Sequence, residues 1–281
     1  MHEPKHRIVD HRRFDVHRTT STTLRSAPTP GKSRPRVLPP HACVESVLLR
    51  RQRTTERITL TCFGLRTRSN GNSGGPDVSI TTRTAAPVDI GACARVLAEA
   101  FAEDPVMSAI WPDLPKRQRA LPRYFAASLR HFHVPGGGVQ VAEDPDGHLG
   151  GVAVWDPPGQ WDQPFSRTLR AIPELLPALG LRTRAAIEIR TTLDTHHPAT
   201  PPHWYLANLA TPATHRGRGY AARLLDERRT QSPGTAAYLV CTREKNVSFY
   251  ERFGFEVTDT FCLPVGDRPM MWAMTYPVGK A

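Results

Sequence analysis

Beyond residue 78 the chain alternates short apolar runs of period two with longer runs of period near 3.6, and this alternation most tightly constrains its fold. Residues 78–83 read as a strand. Pro87 opens a helix with Ile90, Ala94, Leu97 and Phe101 on one face, and Asp104-Pro105 closes it. A second helical stretch over 116–131 is interrupted at Pro122, where it restarts. Strands over 139–143 and 149–155 flank Asp144-Pro145-Asp146-Gly147, a composition suited to a tight turn. Residues 164–193 are helical, and Pro173 and Pro177 divide them into two short helices. After a Pro/His linker the pattern is strand 204–210, Gly-rich turn, helix 219–229, strand 236–241, helix 247–253, then strands 255–261 and 270–275. Strands and helices mixed in one unit of this length imply a single α/β domain over 78–281.

The first 77 residues differ in kind. Residues 1–80 hold 15 of the 37 Lys and Arg but only 6 of the 26 Asp and Glu, so the strongly basic balance of the chain belongs to this stretch. It is rich in Arg, Thr, Ser, Pro and His, its apolar residues come mostly singly, and a linker-like Asn70-Gly71-Asn72-Ser73-Gly74-Gly75-Pro76 ends it. Too little apolar surface is available to offset backbone ordering, so a disordered extension is expected over 1–77. Scarce aromatics argue against nucleic-acid binding. Glu3, Asp10 and Asp15 argue against an organelle-targeting segment, and no apolar core of a signal peptide is present. With no methionine between Met1 and Met107, a natural start at Val78 is expected. No apolar run approaches a membrane span. Five scattered cysteines without a C-x-x-C pair disfavour a disulfide framework or a zinc site and point to the reducing cytoplasm.

The sharpest local signal is His215-Arg216-Gly217-Arg218-Gly219-Tyr220-Ala221-Ala222, placed after an apolar strand and opening a helix. A helix N-terminus presents unpaired N–H groups and the positive end of the helix dipole, which suits a pyrophosphate. Glycines at 217 and 219 remove β-carbons that would hold phosphate off the backbone. A Walker loop is excluded because no Gly-Lys-Ser/Thr follows. The dinucleotide fingerprint G-x-G-x-x-A is matched literally, but too little chain remains for the rest of that fold.

Arg216 to Ala221 also fits R/Q-x-x-G-x-G/A, and Asn246-Val247-Ser248-Phe249-Tyr250-Glu251-Arg252-Phe253-Gly254-Phe255 follows about thirty residues later. Together, in this order, they resemble the two hallmarks of the GNAT-type N-acetyltransferases. Within that superfamily the chain looks most like the puromycin N-acetyltransferase group. The likeness rests on Val152-Ala153-Val154-Trp155, the helical insertion at 164–193, His197-Pro198 ahead of Trp204-Tyr205-Leu206, and Trp272-Ala273-Met274-Thr275.

The resemblance implies a GNAT fold, with a mixed, mostly antiparallel twisted sheet of six to seven strands flanked by helices. It implies acetyl-CoA as co-substrate, no metal, and a small-molecule amine acceptor. It implies backbone contacts to the pantetheine arm from Leu209, Ala210 and Thr211. Pyrophosphate would bind to the amides of Arg216, Gly217, Arg218, Gly219, Tyr220 and Ala221, and the CoA arm would touch Asn246. Tyr250 would protonate the departing thiolate. A homodimer is left open; nucleic acid and membrane are not expected as partners. Phe249, Phe253 and Phe255 are expected as core.

One departure stands out. Relatives commonly carry a Glu in the strand over 236–241, where this chain has Val240, so the base that deprotonates the amine is not evident. Water or a residue of the 104–133 region would serve, or proton removal is inefficient. A CoA-binding module or sensor with little turnover is one rival reading; a nucleic-acid-associated protein that uses residues 1–80 as a basic arm is the other. His131, His133, His196 and His197 make poor metal candidates. Trp111, Trp155 and Trp161 could line an apolar pocket or pack in the core, and Cys241 is expected to be a buried structural thiol.

Overall fold

A computed structural model describes residues 79–279; the expectations for residues 1–77 and for a start at Val78 lie outside the described residues. Seven strands form one sheet: β1 (Thr81–Thr84), β2 (Val139–Glu143), β3 (Leu149–Asp156), β4 (His203–Ala210), β5 (Ala236–Cys241), β6 (Glu256–Cys262) and β7 (Met270–Tyr276). Their spatial order is β1-β2-β3-β4-β5-β7-β6. Only the central β4–β5 pair is parallel. This is the mixed, mostly antiparallel sheet that the resemblance implies.

The helices are α1 (Ile90–Ala100), α2 (Pro105–Ile110), α3 (Leu114–Ser128), α4 (Phe165–Leu179), α5 (Thr183–Thr195), α6 (Tyr220–Gln231) and α7 (Val247–Glu251). The two faces of the sheet make two cores, and strand alternation sorts side chains between them. In β3, Val152 and Val154 join the core beneath α1 and α3, while Ala153 and Trp155 join the core beneath α6. Buried on both faces, β3 is a near-continuous apolar run. The same division holds in β5, with Tyr238 on the first side and Ala237 and Leu239 on the second.

Three proline readings need correction. Asp104-Pro105 does more than close α1: the Asp104 carboxylate accepts the N–H groups of Val106 and Met107 and caps α2. α3 runs through Pro122 without restarting. α4 likewise contains both Pro173 and Pro177, and the break into two helices falls at Gly180 instead. A proline removes one N–H, but packing of α4 against α3 outweighs that local loss.

Between α1 and α3 the chain is tied by Arg117. Its buried guanidinium donates to the carbonyls of Ala102 and Trp111, both at 2.5 Å, and of Pro112 at 3.4 Å. After α3 the helix widens into a single π turn over Leu129–His133, a local geometry common at functional sites.

Candidate active site

The parallel strands β4 and β5 pair only as far as Leu206 and Leu239. Beyond that point β4 continues beside β3 and β5 beside β7, so the sheet opens between them. Val154 pairs with Asn208 while Trp155 pairs with Leu206, which leaves Ala207 as the extra residue of a bulge in β4. A cavity of about 1100 Å³ occupies the opening, lined by Ala207–Ala210 from β4 and by Val240 and Cys241 from β5.

At the far end of β4 lies the glycine turn. A 3-10 turn over Ala213–His215 is held by Glu99, whose carboxylate accepts the Ala213 N–H at 2.9 Å. The Arg216 and Arg218 N–H groups donate to the carbonyls of Ala213 and His215, each at 3.4 Å. Gly217 and Gly219 sit at φ of 77° and 91°, the left-handed region that favours glycine. The first helical bond runs from Arg223 N–H to the Gly219 carbonyl. Among the described residues, the N–H groups of Gly217, Gly219, Tyr220, Ala221 and Ala222 have no acceptor. These donors stand at the positive end of α6, and nothing lies within 4 Å of where a Gly217 Cβ would be. The free N–H groups of Gly217 and 219–222 therefore fit a diphosphate, whereas those of Arg216 and Arg218, expected to join them, are taken up by the turn itself.

Across the opening, β5 leads through a 3-10 turn over Glu244–Asn246 into α7. Asn246 and Tyr250 both line the cavity. The Tyr250 ring is held edge-on by Phe249 and Phe255, and its hydroxyl has no partner among the described residues. Burial pushes that hydroxyl above the ordinary tyrosine range, and the neighbouring Cys241 and Asp104 add to the shift, so it stays protonated. Thr242 Oγ1 donates to the Asp104 carboxylate at 2.5 Å, tying β5 to the cap of α2. Burial holds Asp104 above the usual carboxylate range, Thr242 opposing.

The half of the cavity away from the glycine turn is lined by α4, α5 and the π turn. Leu175, Leu179 and Ile187 form an apolar wall. Polar groups face it: Arg190 paired with Asp194 at 2.7 Å, Tyr205, and His133 with Asp156. Burial raises the Tyr205 hydroxyl to about 12, Arg190 opposing and Asp156 adding.

Residues 184–257 match the model of the GNAT acetyltransferase domain. The matched segment takes in the glycine turn and Tyr250. Among solved structures it is similar to an acetyltransferase of Corynebacterium glutamicum described as "histone acetyltransferase HPA2 and related acetyltransferase". The identity is 27%, with 72% of this chain and 98% of that one covered and a TM-score of 0.55. Further matches are a polyamine N-acetyltransferase of Drosophila melanogaster (15% identity, 71% and 100% covered, TM-score 0.49) and an arylalkylamine N-acetyltransferase of Aedes aegypti (14%, 70% and 98%, 0.46).

The expected site residues divide by place. Leu209, Ala210, Thr211, Arg216, Asn246 and Tyr250 all line the one cavity. Gly217, Arg218, Gly219, Tyr220 and Ala221 are not among its lining. The Tyr220 side chain is buried against β3, where a Cβ on Gly150 would stand 2.1 Å from its ring, so only its backbone is free for a ligand. Phe255 is core, with Phe249 and Phe253 packed against it.

None of the three tryptophans lines the cavity. Trp111 is buried and donates from Nε1 to the Ala178 carbonyl, Trp155 is buried under Arg228, and Trp161 stacks on His197 at 3.8 Å. Burial raises the Cys241 thiol, and Sγ contacts the Arg243 carbonyl at 3.1 Å, as a structural cysteine would. Spacing does not show the His133–Asp156 pair, because a π turn and a strand 23 positions apart meet only in three dimensions.

Proposed function

We propose that this protein transfers the acetyl group of acetyl-CoA to the primary amine of a small, partly apolar molecule, in the cytoplasm and by direct attack without a metal. The run of unpartnered N–H groups at Gly217 and 219–222, beside the opening between β4 and β5, carries the reading. Those amides would hold the diphosphate; the Arg216 and Arg218 N–H groups already donate to the Ala213 and His215 carbonyls, so these two residues would add only side-chain charge. Leu209, Ala210 and Thr211 would offer backbone groups to the pantetheine arm, and Asn246 would contact it from the other side. The co-substrate supplies an acyl group activated as a thioester.

Tyr250 would return a proton to the leaving sulfur, a role that a hydroxyl kept neutral by burial can perform. The apolar wall of Leu175, Leu179 and Ile187 favours an acceptor with a hydrocarbon or aromatic body. The likeness to the puromycin N-acetyltransferase group points to the same kind of acceptor. The absent strand carboxylate at Val240 separates this chain from the commoner arrangement in the superfamily.

The test is calorimetry of the full chain with acetyl-CoA, followed by thiol release with an amine panel (2-phenylethylamine, tryptamine, agmatine, spermidine). Saturable binding together with release of CoA is expected, strongest for the arylalkyl amines. A flat titration with acetyl-CoA overturns the reading. Binding without turnover on any amine would instead support the CoA-binding module.

A further inference from the structure

An acceptor amine arrives as an ammonium and needs a base before it can attack, yet β5 offers none. Two side chains of the 104–133 region line the cavity with the chemistry to serve, Asp104 and His133. Asp104 is already engaged: one oxygen caps α2 through two N–H groups and the other accepts from Thr242. His133 differs. Its Nδ1 lies 2.9 Å from Asp156 Oδ1, with both side chains buried, and Nε2 has no partner among the described residues. A carboxylate at Nδ1 fixes that nitrogen as the donor, which leaves the Nε2 lone pair free.

The backbone builds this pair. The Gly138 N–H donates to the His133 carbonyl at 3.0 Å, and the Trp155 N–H donates to the Gly138 carbonyl at 2.7 Å, so the π turn is pinned beside Asp156. Asp156 pairs with Tyr205, two residues along β4 from the bulge at Ala207, on the side of the cavity with the apolar wall. The neighbouring His131 points elsewhere, to Glu174 on α4.

Resting on the acetyltransferase reading, we infer that His133 is the general base of the reaction and Asp156 its positioning residue. The proton of the acceptor ammonium passes to His133 Nε2, giving a neutral amine and an imidazolium held by Asp156. The amine lone pair then forms the C–N bond at the thioester carbonyl as the C–S bond breaks. The sulfur takes a proton from Tyr250, which recovers it from the nitrogen through solvent. The imidazolium releases its own proton to water, so one proton is liberated for each amide formed. Asp156 on β3 is the charged group in contact with the imidazole; Asp162 in the following loop, Arg190 and Asp194 on α5, Tyr205 on β4 and Tyr124 on α3 line the same cavity.

The experiment measures the pH dependence of kcat/KM for 2-phenylethylamine, or the best amine of the panel, with His133→Ala and Asp156→Asn in the full chain. At pH 7, His133→Ala should lose about 10²-fold with unchanged acetyl-CoA affinity. Its rate should climb about tenfold per pH unit toward the ammonium pKa of about 10, where the wild type has levelled off. Added imidazole should restore part of the loss. A wild type that does not bind acetyl-CoA would defeat the underlying reading instead. Equal loss at every pH without imidazole rescue, or no loss, overturns the role of His133. Should His133→Ala not fold, Asp156→Asn decides: a lowered kcat with acetyl-CoA binding intact is expected, and an unchanged kcat overturns the pairing.

Discussion

A β-carbon on Gly138 would stand 2.1 Å from the carbonyl oxygen of Trp155, closer than any real contact of that kind. The glycine is required by the approach of the two backbones, which lets the segment after the π turn bond to the last residues of β3. Gly138→Ala must push the π turn away from β3 and separate His133 from Asp156. Destabilisation of about 2 kcal/mol is expected from such overpacking, with a larger fall in turnover than in acetyl-CoA affinity. Denaturant unfolding and steady-state kinetics on the same variant check both.

Gly219 precedes the first residue of α6 at a φ of 91°. Gly219→Val imposes a strained backbone in the middle of the free N–H groups and brings a branched side chain against Ile80. Acetyl-CoA affinity should weaken by tenfold or more in calorimetry, with about 1–2 kcal/mol lost from stability.

Tyr250→Phe keeps the ring in its cage of Phe249 and Phe255 and removes only the hydroxyl. Turnover should drop by about 10²-fold while acetyl-CoA binds as before. Unchanged turnover in the thiol-release assay would remove Tyr250 from the reaction.

Arg117 satisfies the carbonyls of Ala102, Trp111 and Pro112. Arg117→Met keeps the apolar stem and leaves those acceptors without their donor. A loss of about 3 kcal/mol is expected, read from the shift of the urea midpoint.

His203 donates from Nδ1 to the Pro201 carbonyl at 2.7 Å, so its Nε2 accepts from His197 Nε2 at 2.9 Å. Burial drives the His197 pKa from 6.5 down to about 3, and His203 and Arg190 push the same way. Between those two values the unfolded chain binds more protons than the folded one. Stability is therefore at its full value above pH 6.5 and falls as the pH drops toward 3. His197→Gln should flatten that part of the profile, which unfolding curves at pH 4, 5, 6 and 7 would reveal.

Period and spacing already announced much of this protein. Short apolar runs bounded by turn residues place β3 and β5 as strands within a residue or so, because strands buried on both faces are apolar at every position. The glycines at 217 and 219 mark their turn because few other residues tolerate that backbone. The motif residues Arg216, Asn246 and Tyr250 do share one cavity. Local chemistry misled at Pro122, Pro173 and Pro177, where helix packing outweighed a missing N–H. Tertiary structure alone decided the parting of β4 from β5 after Leu206, the withdrawal of Tyr220 into the core, and the meeting of His133 with Asp156. The physical reason is range. Periodicity and turn chemistry act over a few neighbouring residues, whereas strand pairing and side-chain contact depend on segments that only the folded sheet brings together.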